Sequence, residues 1–162
     1  MAARRLYDNN PFPNSFIGGE LCPIDNRGRS KFPAKFRRML SPESENRLVV
    51  APGNGDYLIA FPRDAWEGEQ SKYNYSPYAD EEDLDEQHWR YHYAEEVILD
   101  SQGRIIVPRG LLDRVGIGTE MVIVAMRHWF EIWNPQMLAD YRKRMEEARR
   151  RKKEKRQASE TG

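Results

Sequence analysis

One nine-residue pattern is written twice in this chain, as "DNRGRSKFP" at 25–33 and as "DSQGRIIVP" at 100–108. Asp, Gly, Arg and Pro recur 75 positions apart. The likeness continues downstream, where "NRLVVAPGNGDYLIAFP" at 46–62 aligns with "TEMVIVAMRHWFEIWNP" at 119–135, now 73 positions apart after a two-residue deletion. No other feature restricts the fold as strongly. An internal repeat means that each copy is a supersecondary unit whose apolar face needs a neighbour, and two copies are fewer than the three or so a solenoid requires. They suit a pseudo-twofold pair that closes one core between its halves, within a chain of 162 residues.

Each copy runs in the same order. "GELCPI" (19–24) and "AEEVIL" (94–99) predict lead-in strands. The turns "DNRG" and "DSQG" follow, then short strands, "RSKF" and "RIIV". Pro33 and Pro108 open short helices, "PAKFRRML" and "PRGLLDRV", because first-turn N–H groups lack helical partners anyway. Ser41-Pro42 and Gly116 stop these helices. A β-hairpin comes next, its turn marked by Gly53-Asn54-Gly55 in the first copy and more weakly by Arg127-His128 in the second. Pro62 and Pro135 end the hairpins and lead into the helical stretches "RDAWEGEQ" and "QMLADYRKRM".

The class implied is α+β. The expected segments are a flexible arm at 1–15, a first repeat at 16–66, an acidic and aromatic connecting segment at 67–90, a second repeat at 91–139, and a charged helical tail at 140–162. The last six residues of the tail are expected to be disordered, and residues 67–86 to form a mobile loop.

Composition matters here through its distribution. Lys and Arg number 26, as do Asp and Glu. Yet residues 1–41 hold eight bases and three acids, residues 67–96 ten acids and two bases, and residues 142–156 ten bases and three acids. Charges act locally over a screening length of about 8 Å, so a neutral total does not exclude a polyanionic partner. Runs of this kind also occur on solvated faces. No stretch of about 18 apolar residues is present, so no transmembrane helix is expected, and no apolar stretch follows Arg4-Arg5 as a secretory leader would require. Cys22 is the single cysteine and cannot pair within the chain, which fits a reducing cytosol.

The doubled turn is the candidate site. Asp25 and Asp100 are good turn openers, since a carboxylate accepts from N–H groups just downstream. Gly28 and Gly103 supply left-handed backbone for a tight hairpin. Arg29 and Arg104, directly after the glycines, are then expected at the hairpin tips and are what the turns present. A structural alternative is an exposed Asp–Arg bridge across each turn, which contributes only about 0–1 kcal/mol. Against that stand six bases in twelve residues: Arg27, Arg29, Lys31, Lys35, Arg37 and Arg38. Phosphates supply a counter-charge, and an arginine fork fits guanine O6 and N7 in the major groove. The second copy is less basic, and its Ile105-Ile106 pair reads as core.

Other constellations carry little. His88 and His92 share a helical spacing but lack a third ligand. Glu95 and Glu96 are adjacent, so on a strand they face opposite sides and cannot act as an acid–base pair. No P-loop, nucleophile elbow or dinucleotide fingerprint occurs, so no enzyme, cofactor or small-molecule substrate is expected. Tyr73, Tyr75, Tyr78, Trp89, Tyr91 and Tyr93 lie in or beside acidic sequence that would repel phosphates, and are expected to pack on the body or on a neighbouring subunit.

The paired Asp-x-x-Gly-Arg motifs, with "FPAKFRR" after one and "IIVP" after the other, resemble the MraZ family of bacterial transcriptional regulators, built from two AbrB-like repeats. "FEIWNPQMLADY" resembles that family's second-copy ending. The resemblance covers about residues 16–142. It implies a swapped-hairpin β-barrel whose halves interlock, and subunits assembled into a ring. It further implies binding to tandem direct repeats upstream of the division and cell-wall gene cluster, as a repressor, in the cytoplasm at the nucleoid. The DNA contacts it implies are Arg29 and Arg104, with Arg27, Lys31 and Gln102 beside them; Asp25, Gly28, Asp100 and Gly103 shape the turns. An AbrB-like protein-binding scaffold or antitoxin-type module is the alternative. The chain departs from the family pattern in its extra N-terminal residues, its longer acidic insert and Cys22-Pro23 within the first strand.

Overall fold

A computed structural model describes residues 16–73 and 75–161; the segment expected to be a flexible arm, 1–15, lies outside the described residues. The first copy supplies β1 (Phe16–Pro23), β2 (Arg29–Lys31), α1 (Ala34–Arg37), a 3-10 turn (Pro42–Ser44), β3 (Arg47–Pro52), β4 (Tyr57–Pro62) and α2 (Arg63–Gln70). After the connecting helix α3 (Glu81–His92), the second copy repeats the order: β5 (Glu95–Ile98), β6 (Arg104–Ile106), α4 (Arg109–Arg114), β7 (Glu120–Arg127), β8 (Phe130–Trp133) and α5 (Pro135–Glu160). The chain is α+β with an antiparallel sheet.

Each lead strand leaves its own copy. β1 pairs with β7 of the second copy, Leu21 opposite Val122 and Cys22 opposite Met121. β5 pairs in turn with β3 of the first, Leu48 opposite Val97. The six-stranded order β1-β7-β8-β4-β3-β5 therefore reads the same when the copies are exchanged. At its midline, Tyr57 faces Trp133 and Ala60 faces Phe130, two pairs that interchange under the 73-residue offset. β2 and β6 pair with each other as a separate two-stranded ribbon.

Proline placement follows from this topology. β1 is an edge strand, so the missing N–H of Pro23 removes no bond from a second neighbour. Pro33, Pro62 and Pro108 each stand just before a helix in extended backbone. Asn134 caps α5, accepting from the N–H of Gln136 at 2.8 Å and of Met137 at 3.1 Å.

The main core draws on both copies. Phe130 of β8 lies 5.2 Å, ring centre to ring centre, from both Phe32 and Phe36 of the first copy. Leu48, Leu58, Leu112, Ile123 and Ile132 are fully buried around them. Burying each such side chain contributes about 1.5–3 kcal/mol. A second cluster, Val49, Ala51, Phe61 and Trp66, sits under α2. Glu96 joins copies there: it accepts from Arg47 Nη1 at 2.7 Å and faces Arg63 Nε at 3.4 Å.

Three expectations change. Residues 67–86 are not loop throughout: α2 runs to Gln70 and Glu81–His92 is a twelve-residue helix, with 71–73 and 75–80 non-helical between them. Asp80 caps it through the N–H of Asp83 at 3.0 Å, and Glu81, Glu82 and Asp83 fill its first turn, where the helix dipole favours acids. The same acids that argue for a loop are thus well placed to start a helix. The tail is helical through Glu160, so the helix takes in four of the six residues expected to be disordered. Its Arg and Lys stretches are good helix formers, and Arg151 lies 3.9 Å from Glu147 one turn earlier. The first short helix ends at Arg37, before Ser41-Pro42 is reached.

Cys22 is buried between β1 and the core, and burial pushes its thiol up to about 11, with the Glu20 charge adding to the shift and Lys35 opposing it. The thiolate is the reactive form. Native protein at mildly alkaline pH is therefore expected to react with iodoacetamide at least about 100-fold more slowly than denatured protein. Equal rates, followed by mass spectrometry, would contradict this burial.

Candidate nucleic-acid interface

The two turns are built alike to within 0.1 Å. Asp25 Oδ1 accepts from the backbone N–H of Arg27 at 2.9 Å and of Arg29 at 2.8 Å, and Oδ2 accepts from Arg29 Nε at 2.9 Å. Asp100 repeats the set with Gln102 N at 2.9 Å, Arg104 N at 2.8 Å and Arg104 Nε at 2.8 Å. Gly28 and Gly103 close the turns at φ +80° and +75°, backbone that a side chain would strain. Backbone N–H donation, above all from Arg29 and Arg104 themselves, holds both carboxyls below the ordinary carboxylate range. Both aspartates are therefore charged at neutral pH.

The Asp–Arg bridge and the presented arginine are one arrangement rather than alternatives. Aspartate holds each guanidinium by Nε alone. Nη1 and Nη2 of Arg29 and Arg104 have no partner among the described residues. Those two nitrogens form the end-on fork that donates two parallel hydrogen bonds. The side chains are about one-third exposed and fixed at the base, so little rotamer freedom remains to be lost on binding.

Neither arginine stands at a turn tip. Arg27 and Gln102 occupy the tips and are exposed, while Arg29 and Arg104 open the strands of the ribbon. The register sets Arg29 opposite Ile106, Ser30 opposite Ile105 and Lys31 opposite Arg104. Alternation then sorts the ribbon into two faces. Ser30 and Ile105 face the core and are buried. Arg29, Lys31, Arg104 and Ile106 share the outer face, the two arginines on a diagonal of about 7–8 Å. Only half of the Ile105-Ile106 pair is core: Ile105 is 1% exposed and Ile106 55%.

Register also relocates the basic crowd. Lys31 lies across from Arg104, and a Cβ at Gly103 would overlap the Arg37 guanidinium. Two bases of the first copy, Lys31 and Arg37, therefore lie beside the second copy's turn. Arg37 belongs to this surface, and its number in the chain offers no hint of that. Lys35 lies beside β1, its Nζ 5.0 Å from the centre of the Phe36 ring, and Arg142 reaches β1 at Gly19.

A family profile described as "MraZ protein, putative antitoxin-like" matches residues 91–160, which takes in the second Asp-x-x-Gly-Arg turn and α5. The "Transcriptional regulator MraZ" of Roseiflexus castenholzii is 34% identical over 121 residues, 75% of this chain and 82% of that protein. The chain belongs to the MraZ family. Proteins of the same description from Burkholderia vietnamiensis (32% identical over 124 residues, 75% of this chain and 83% of theirs) and Desulfitobacterium hafniense (31% over 133 residues, 82% and 90%) are similar to it. In this MraZ chain, no three His, Cys, Asp or Glu gather as a metal site among the described residues. Among the described residues, no helix is long and apolar enough to cross a membrane.

The aromatic residues of the connecting segment pack on one another, on Trp66 or against cations, with Tyr73, Trp89 and Tyr91 still 40%, 40% and 49% exposed. Tyr91 packs edge-on against Trp66 at 6.1 Å and Tyr75 at 4.9 Å. Arg90 lies over Tyr73 at 3.9 Å and Arg114 over Tyr93 at 3.7 Å. Tyr78 is the exception, 94% exposed.

Proposed function

We propose that this chain is a DNA-binding transcriptional regulator, not an enzyme, that lays the β2–β6 ribbon into the major groove. One observation carries the reading: two arginine forks, each held at Nε by an aspartate, share the outer face of a two-stranded ribbon with Lys31. A major groove about 12 Å wide admits such a ribbon, and arginine forks fit guanine O6 and N7. Arg27, Lys31, Arg37 and Gln102 surround the forks and suit phosphates, which position the protein without reading sequence. Exchange of lead strands between copies supports a swapped-hairpin β-barrel as the scaffold.

A single ribbon contacts few base pairs, so useful affinity needs several. A homo-oligomeric ring would present ribbons in register along tandem direct repeats, and linkage of this kind raises affinity by about 10²–10⁴. The family resemblance makes the division and cell-wall gene cluster the expected target, with repression the expected sign and the nucleoid the expected place. The test is titration of the purified protein with the DNA upstream of its own gene across a salt series. The logarithm of affinity is expected to fall linearly with the logarithm of salt, by about 0.9 per phosphate neutralised. A flat dependence, or equal affinity for unrelated DNA, would overturn the proposal.

A further inference from the structure

Ile106 is the one apolar side chain on the outer ribbon face, 55% exposed among Arg29, Lys31 and Arg104. Its neighbour Ile105 fills the core, so alternation alone forces position 106 outward. Isoleucine suits a strand, but burial in the core does not account for it there. An exposed apolar group in a cationic face has two possible uses. A protein partner that covered it would also have to desolvate Arg29 and Lys31, which lie on the same face, and unpaired buried charge is costly. DNA satisfies both at once, because phosphates and base acceptors pair the cations while the groove wall meets the isoleucine. The only apolar group that a base pair offers in the major groove is the thymine C5 methyl.

We infer that Ile106 reads thymine by methyl contact, beside the guanine bound by Arg29; this rests on the DNA-binding function proposed above. The spacing limits where that thymine lies. Directly opposed residues on one ribbon face are about 5 Å apart at Cβ, and bases rise about 3.4 Å per step. The thymine is therefore within about two base steps of the guanine. Ile106 also abuts the first turn: its Cγ2 lies 3.8 Å from where a Cβ at Gly28 would be. Its side chain thus lies beside the first turn, close to Arg29.

The experiment compares two versions of the DNA upstream of the protein's own gene, one made with thymidine and one with deoxyuridine throughout, which lacks the methyl and keeps the same pairing. Wild-type protein, Ile106→Ala and Ile106→Thr are each titrated against both. For wild type, deoxyuridine is expected to weaken binding about fourfold for each thymine contacted, the worth of one buried methyl. Ile106→Ala is expected to bind the thymidine fragment more weakly and to show no difference between the fragments. Ile106→Thr keeps a methyl and is expected to keep part of the difference. The residue is exposed, so all three proteins are expected to fold. Wild type binding both fragments equally overturns the inference, as does an equal loss in wild type and Ile106→Ala, yet specific binding to both leaves the DNA-binding function intact. Failure of wild type to prefer the thymidine fragment over unrelated DNA overturns that function as well.

Discussion

Arg29→Ala is expected to weaken binding to operator DNA by about 5- to 160-fold for each ribbon engaged, since a bidentate arginine–guanine pair is worth about 1–3 kcal/mol of discrimination. Thermal stability should hardly move, because the Asp25–Arg29 bridge is an exposed pair worth about 0–1 kcal/mol. Arg29→Lys separates charge from geometry. Lysine keeps the positive charge but has no fork for Asp25 to hold at Nε, so binding to unrelated DNA should survive while preference for the operator falls. Arg104→Ala should differ in kind. Arg104 lies opposite Lys31 and beside Arg37, whereas Arg29 lies opposite Ile106. Loss of Arg104 therefore removes charge from the densest part of the basic surface and should also flatten the salt dependence. The measurements are fluorescence anisotropy over a salt series and calorimetric unfolding of each variant. An intact Arg29→Ala protein that binds operator as tightly as wild type would sink the mechanism.

How far the sequence shows this surface depends on which contacts are local. The turns are legible in full, because every bond that builds them spans four residues or fewer: Asp25 to Arg27 and Arg29, Asp100 to Gln102 and Arg104. The repeat also makes the pairing of halves legible as a pattern, since identical units with one apolar face each need a partner. The register of β2 against β6 is a different matter. It joins residues 73–77 positions apart, and a slip of one residue would turn Arg29 and Lys31 inward and Ser30 outward. Nothing in "RSKF" or "RIIV" alone decides this. Proximity in the chain places the bases of 27–38 round Arg29, while antiparallel pairing places Lys31 and Arg37 round Arg104. The exposed side of Ile106 is hidden for the same reason. In the connecting segment, acids signal equally a solvated loop and the first turn of a helix, and only the Asp80 cap tips the balance.

Phe130→Ala should show whether the copies form one cooperative unit. Phe130 belongs to β8, yet its ring contacts Phe32 and Phe36, which stand beside β2 and in α1 of the other copy. It is fully buried, so truncation leaves a cavity, and phenylalanine-to-alanine changes of this kind cost about 3–5 kcal/mol. Against a typical total of about 5–15 kcal/mol, that is a large share. For a chain of 162 residues the expected fall in melting temperature is about 6–20 °C. The shape of the transition says more than its midpoint. The lead strand of each copy is paired in the other's sheet half, β1 on β7 and β5 on β3, so neither copy can unfold without stripping a strand from its twin. A single transition should persist, moved down as a whole. Tyr78→Ala, at the most exposed aromatic among the described residues, is the control and should leave the midpoint unchanged. Two resolved transitions in Phe130→Ala, with only one displaced, would mean that the copies fold separately. The ribbon would then have to form by docking of two finished halves, and its register, on which the Arg29, Lys31, Arg104 and Ile106 face depends, would need a cause other than the shared core.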